Sequence, residues 1–203
     1  MPKPFEGHTG IIQRNAIQSW TKLMPACEII LLGDEEGTKE VAQEFGLIHV
    51  PHTDTNEFGT PLMDSIFKEG EAAAKYPLYC YLSADIILMS DFMQAAQTVA
   101  SQRKWFLMSG QRWNLDIHEP LDFEPGWESR LRQDVAQCGR LHHRTGMDYY
   151  FYTKGVLDGI PPFAIGRTAL DAWILYRARI RKADLIDATK VVMDVHQNHD
   201  YSH

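Results

Sequence analysis

Leu78-Tyr-Cys-Tyr-Leu-Ser-Ala-Asp85-Ile-Ile-Leu-Met89 runs through five mostly apolar residues, takes one short polar step that ends in an aspartate, and turns apolar again. The run 78–82 predicts a short buried strand. Such a strand delivers the lone Asp85 carboxylate into the loop at its carboxyl end, where open α/β sheets bind their ligands. A carboxylate at that place serves either as a turn or helix-cap residue, or as a ligand for a hard divalent cation that would in turn hold a diphosphate.

Toward the N-terminus the pattern is regular. Ile11–Leu23 places Ile12, Ala16, Ser19, Trp20 and Leu23 on one helical stripe, with Thr9 as the expected cap and Pro25 as the stop. Cys27–Gly33 reads as a strand, Thr38–Phe45 as a helix closed by Gly46, Leu47–Val50 as a strand and Pro61–Lys75 as a helix. Beyond Asp85, Asp91–Gln102 reads as a helix, Trp105–Ser109 as a strand, Trp127–Val135 as a helix, Gly146–Tyr152 as a strand, Ala169–Ala183 as a helix and Lys190–Val195 as a last strand. Alternating helices and strands with short connections predict an α/β fold, a three-layer α/β/α sandwich with a mainly parallel central sheet. A sheet of this kind usually opens on a strand. Met1–Phe5 leaves room only for a short edge strand, unless residues precede it.

At roughly 100–200 residues per domain, 203 residues predict a single domain. An apolar share of 44% suits a packed core and argues against disorder. The net charge of −7 makes nucleic acid an unexpected partner. The three cysteines, Cys27, Cys80 and Cys138, form no C-x-x-C pair, which predicts neither a disulfide framework nor a cysteine zinc site but a reducing, cytoplasmic setting. No apolar run approaches the roughly 20 residues of a membrane span, and no basic segment followed by an apolar one opens the chain as a leader.

The expected strand ends present Asp34, Ser83, Asp85, Arg112, Asp148 and His196. G-x-G-x-x-G, G-x-x-x-x-G-K-[ST] and G-x-S-x-G are all missing, which removes the usual support for dinucleotide oxidoreductases, P-loop enzymes and α/β-hydrolases. Several other residues have two readings. His142-His143 with Arg140 and Arg144 is a diphosphate site or exposed loop charge. Arg167 meets phosphate or acceptor, or only solvent. Trp113 and Trp127 are a stacking platform for a sugar ring or core packing. His196, His199 and His203 are metal ligands or a polar tail, and the i,i+3 spacing suits a metal only in a helix, whereas Asn198 and Asp200 suggest a turn.

Leu82-Ser83-Ala84-Asp85 resembles the D-x-D or x-x-D motif of the GT-A-fold nucleotide-sugar glycosyltransferases, with serine in place of the first acidic residue. Arg14-Asn15 and Asp34 are similar to the family's nucleotide-base pocket, with Lys3-Pro4-Phe5 as its wall. Thr145–Phe151 resembles the glycine-led strand that shapes the sugar pocket. Leu170-Asp171-Ala-Trp-Ile-Leu-Tyr-Arg177 resembles the E-D-x-x-L-x-x-R segment, and Val191–His196 the late strand whose histidine completes the metal site. The resemblance extends over nearly the whole chain and is nearest to small stand-alone bacterial or viral transferase domains. It implies a nucleotide-binding half over about residues 1–110 and an acceptor half over about 111–203. The donor would be a nucleoside-diphosphate sugar, a UDP-sugar in the first instance, and the acceptor a saccharide or glycoconjugate. It implies Mn²⁺ or Mg²⁺ on Asp85 and His196, and nucleotide contacts from Pro4, Phe5, Arg14, Asp34, Ser83 and Ala84. Acceptor contacts would come from Arg112, Trp113 and Arg167, and the general base would be Asp171, with Asp148 as its competitor. The alternatives are a nucleotide-sugar or carbohydrate-binding domain without turnover, and a sugar nucleotidyltransferase. The last would need a glycine-rich, lysine-bearing loop after the first strand, which this chain lacks.

Overall fold

The computed structural model describes residues 1–167 and 170–199. Among these residues the order is α1 Gly7–Thr21, β1 Ile30–Leu32, α2 Thr38–Phe45, β2 Ile48–Val50, α3 Met63–Ala73, β3 Leu78–Leu82, β4 Ile86–Ile87 and α4 Ser90–Gln102. There follow β5 Phe106–Ser109, β6 Trp113–Leu115, α5 Trp127–Cys138, β7 Arg140–Leu141, β8 Tyr149–Thr153, α6 Leu170–Ile180, β9 Asp184–Asp187 and β10 Val195–Gln197. The protein is therefore α/β, as its sequence predicts.

The strands form three sheets: β1-β2, β3-β8-β5-β9 and β4-β10-β6-β7. The pairs β1/β2, β5/β9 and β10/β6 are parallel, whereas β3/β8, β5/β8, β10/β4 and β6/β7 are antiparallel. The expected predominance of parallel pairing is thus not what these strands show. The physical reason lies in β8, which enters from the second half of the chain and inserts antiparallel between β3 and β5. Its side chains alternate between two buried faces. Tyr149 and Phe151 join a core cluster with Ile17 and Trp20 of α1, Val41 of α2 and Phe92 of α4, while Tyr150 and Tyr152 join one with Ile66 of α3 and Ile174 of α6. A strand buried on both faces reads as a continuous apolar run whichever way its neighbours point. β1 and β3 do not pair, so the first two sheets are separate; Ile30 and Leu32 of β1 and Leu78 and Cys80 of β3 line the same open apolar pocket of about 500 Å³.

Local boundaries also move. α1 begins at Gly7 with Glu6 at its cap position, so Thr9 lies inside the first turn. The last expected strand shifts from 190–195 to Val195–Gln197, and the short strands β4, β6, β7 and β9 appear where none was expected. Met1–Phe5 holds no strand; it lies along the turn after β1, where a Cβ on Gly33 would collide with Met1 Cε and one on Gly37 would meet Phe5 Cβ at 2.8 Å.

α1 anchors the chain on the far side of Asp85. It buries Ile12, Ala16, Ile17 and Trp20, a stripe whose full burial contributes about 1.5–3 kcal/mol per large side chain. Trp20 Nε1–H donates to the Ile86 carbonyl at 2.8 Å, and Leu88 N–H donates to Ser19 Oγ at 3.2 Å. These two bonds fasten β4 directly after Asp85. All three cysteines are free, and no helix among the described residues is long and apolar enough to cross a membrane.

Candidate metal centre

Asp85 sits between β3 and β4 in a turn closed by Ile86 N–H donating to the Ser83 carbonyl at 3.2 Å. Ser83 N–H donates to the Asp148 carbonyl at 2.9 Å, so the loop is tied to the start of β8. β4 pairs antiparallel with β10, His196 opposite Ile86. Gln197, fully buried, bolts the two together: its Nε2 donates to the Asp85 carbonyl at 3.0 Å and to the Ile12 carbonyl at 2.7 Å, while its Oε1 accepts from Asn15 Nδ2 at 3.0 Å.

The result is a cluster. His199 Nε2 lies 3.0 Å and His196 Nε2 3.6 Å from Asp85 Oδ2, and one ligand atom from each of the three residues falls within 4.8 Å of the others. His199 arrives without a helix. After β10 the chain turns, held by Asn198 N–H donating to the Leu115 carbonyl at 2.9 Å and Asn198 Nδ2 to Asp116 Oδ1 at 2.8 Å, and this turn brings the i+3 imidazole to the side of His196. Residues 200–203, including His203, lie outside the described residues.

Two features fit this cluster to a divalent ion. Asp85 Oδ1 is a buried oxygen with no hydrogen-bond partner, and an orphaned acceptor inside a protein calls for a ligand. Burial pushes the Asp85 carboxyl up, yet hydrogen bonds from His196 and His199 and their charge outweigh it and hold the group below the usual carboxylate range. An ionised carboxylate with two imidazoles is a borderline donor set, better matched to transition-metal ions than to Mg²⁺.

A polar chain lies beside the cluster. Arg112, between β5 and β6, donates from Nη1 to Asp148 Oδ2 at 2.7 Å and from Nε to Asn114 Oδ1 at 3.0 Å. The side chains of this ion pair are only 10% and 18% exposed, so little solvent screens it. Because the Asn114 oxygen faces Arg112, its amide nitrogen donates to His142 Nδ1 at 3.2 Å. The imidazole therefore carries its proton on Nε2 when neutral. Burial first, then the Arg112 charge, hold His142 below its ordinary value. Its ring packs so closely on Gly146 that a Cβ there would collide with His142 Cδ2.

Asp171 lies in the first turn of α6 and accepts a short hydrogen bond on Oδ1 from the hydroxyl of Tyr150, a buried residue of β8. Burial is the main reason its carboxyl stands above the usual range; the Asp148 charge adds to this, while the Tyr150 bond, a backbone bond from Met147 and the Arg112 charge oppose it. The phenol of Tyr81 on β3 is pushed up by burial first and then by Asp148, Asp171 and Asp85. All three carboxylates thus act on one side chain near the end of β3.

The other expected residues divide. Ser83 and Ala84 form the turn that carries Asp85. Pro4 is exposed and Phe5 half-buried beside the turn after β1, in which Asp34 is exposed. Arg14 is turned elsewhere, because its Nη1 is held by both oxygens of Glu44 at 2.9 and 2.7 Å across α1 and α2. Asn15 is structural: it donates to Gln197 and to the Glu119 carbonyl, and it accepts from Leu121 N–H. Trp113 packs, half-buried, against the cluster of Ile87, Leu115, Leu131 and Val195 instead of standing clear as a platform. Arg167 is exposed in the loop before α6.

Three residues of the site stand out less in the sequence than in space. His199 is signalled by H-x-x-H, but the helical condition on that spacing argues against it. Tyr150 sits in an aromatic strand that reads as core, and Asn114 has no sequence signal. No family model matches the chain, and no curated protein matches it either.

Proposed function

We propose that the chain is a metal-dependent glycosyltransferase of the GT-A type, moving a sugar from a nucleoside-diphosphate donor, a UDP-sugar in the first instance, to a hydroxyl of a saccharide or glycoconjugate. The observation that carries this reading is the convergence of Asp85, His196 and His199 at the end of β3, with the charges of Asp171 and Asp148 felt at the same strand.

Asp85, His196 and His199 would hold the ion, and their donor chemistry favours Mn²⁺ over Mg²⁺. When bound, the ion supplies Lewis-acid stabilisation of a departing diphosphate, a contribution of several kcal/mol. Asp171 takes the proton of the acceptor hydroxyl. Burial raises the basicity of its carboxylate, and a positioned base of this kind contributes about 10²–10⁴-fold. Arg112, fixed by Asp148 and Asn114, presents positive charge beside the same region. Ser83, Ala84, Pro4, Phe5 and Asp34 supply the nucleotide side.

One observation favours a donor-binding domain without turnover: Asp171 Oδ1 is already occupied by Tyr150. The test is titration of UDP with and without Mn²⁺, read by calorimetry and melting temperature, followed by transfer assays. Ligand at a hundred times Kd stabilises by about 2.7 kcal/mol, about 5–10 °C for a chain of this size. A Mn²⁺-dependent UDP shift with donor turnover supports the transferase. The same shift without turnover supports the binding domain. No shift with either ligand ends both readings.

A further inference from the structure

The Tyr150 hydroxyl has two acceptors in reach and one proton to give. Asp171 Oδ1 is one; the Met147 carbonyl, at 3.2 Å, is the other. The ring cannot leave: Tyr150 is about 1% exposed, stacks on Tyr81 with centroids 6.2 Å apart, and packs with Ile174 of α6. Only the C–O torsion is free, so the hydroxyl points at one acceptor or the other. Which one it chooses depends on Asp171. A carboxylate is the stronger acceptor, since hydrogen bonds to charged groups are roughly twice as strong as neutral ones. A neutral carboxylic acid loses that advantage, and the peptide carbonyl of Met147 then competes.

We propose that Tyr150 is the positioning residue for Asp171, clamping Oδ1 while the carboxylate is ionised and turning to the Met147 carbonyl once the carboxylate has taken a proton. The inference rests on the reading of Asp171 as the base. In that reaction the acceptor O–H bond breaks and its proton goes to the Asp171 carboxylate. The acceptor oxygen bonds to the anomeric carbon, and the bond from that carbon to the phosphate oxygen breaks, its electron pair leaving with the nucleoside diphosphate. Asp171 therefore gains a proton in every turnover and must lose it again. A rotating donor favours the ionised form at the start of each cycle without holding the carboxylate so tightly that it cannot be protonated.

The test uses two substitutions that move the donor in opposite directions while keeping the ring. Tyr150→Phe removes the proton; Tyr150→3-fluorotyrosine makes the phenol more acidic and a better donor. The Asp171 titration is followed by carboxyl ¹³C NMR, assigned with Asp171→Asn, and the acid limb of the pH–rate profile is measured alongside. Tyr150→Phe should move both to higher pH by about one unit, the size a charged hydrogen bond allows. It should lower kcat below that limb about tenfold and leave KM for the donor unchanged. Fluorotyrosine should move both to lower pH. A packing role moves neither, and an unmoved NMR titration in both variants overturns the proposal. Should the wild-type chain show no turnover, the function falls, and the NMR titration alone still decides whether Tyr150 controls Asp171.

Discussion

Asp85 and Asp171 are both carboxylates drawn partly out of water, and burial works against ionisation in each. Their partners differ. Asp85 meets two imidazoles and is held below the usual range, whereas Asp171 meets a phenol and the repulsion of Asp148, and stands above it. Desolvation alone therefore does not decide what a buried carboxylate can do; the sign and number of its neighbours do. A group kept ionised among nitrogen donors could hold a cation, and a group with raised affinity for a proton could receive one, which are the two roles proposed above. The two come from separate parts of the chain, one just before β4 and one at the start of α6.

The sharpest way to break this comparison is to neutralise each group in turn. Asp85→Asn should weaken Mn²⁺ binding at least a hundredfold and abolish metal-dependent turnover, because it removes the one anionic ligand of the set. Asp171→Asn should leave Mn²⁺ affinity within about twofold and lower kcat by about 10²–10⁴. Calorimetry with Mn²⁺ on both variants, beside a transfer assay, checks the pair. If Asp171→Asn also loses the metal, or Asp85→Asn keeps it, the division of roles is wrong.

A second effect is structural. The Arg112–Asp148 pair acts on Asp171 and is far better shielded than the Arg14–Glu44 pair, whose side chains are 41% and 53% exposed. Removing one member of a buried pair leaves the other charge uncompensated and typically costs about 3–5 kcal/mol. Arg112→Ala should therefore lower the melting temperature by about 10 °C. Replacing both members, as Arg112→Met with Asp148→Leu, should recover most of that loss, since a well-packed apolar pair avoids the desolvation penalty. Urea denaturation of the single and double variants measures the difference. Equal losses would mean that the pair adds net stability beyond avoiding an orphaned charge.

Much of the fold and of the metal cluster is legible in the sequence, for physical reasons. The apolar run before Asp85 marks a strand, and a polar residue at its end falls in the loop; its burial is overestimated, because Leu78 and Cys80 of β3 are exposed. The stripe of α1 and the Gly46 stop of α2 are local signals, and local signals survive folding. Arg14 misleads because nothing in a helix face announces the neighbouring helix, and Glu44 stands 30 residues away. The spacing of His199 looks unfit for a metal only when measured against a helix; a turn pinned by Asn198 brings the same two imidazoles together. Strand direction is hidden for a related reason: β8 carries the same buried, aromatic pattern parallel or antiparallel, and only the path of residues 110–148 decides.

The smallest effect expected is a slope. The folded-state pKa of Asp171 is raised above its ordinary value, so the folded protein binds that proton more tightly than the unfolded chain does. The stabilisation this gives is complete below the ordinary carboxylate range and is lost as pH rises through the raised value. Asp171→Asn keeps an oxygen for Tyr150 and cannot titrate. The unfolding free energy of wild type minus that of Asp171→Asn should therefore fall with rising pH across that window and level off above it. A metal ligand is untouched by this substitution, so the curve should have the same shape with and without Mn²⁺. Denaturant melts at closely spaced pH values provide the check. A difference that rises with pH instead would place Asp171 with Asp85, as a carboxylate held ionised, and would withdraw its assignment as the proton acceptor.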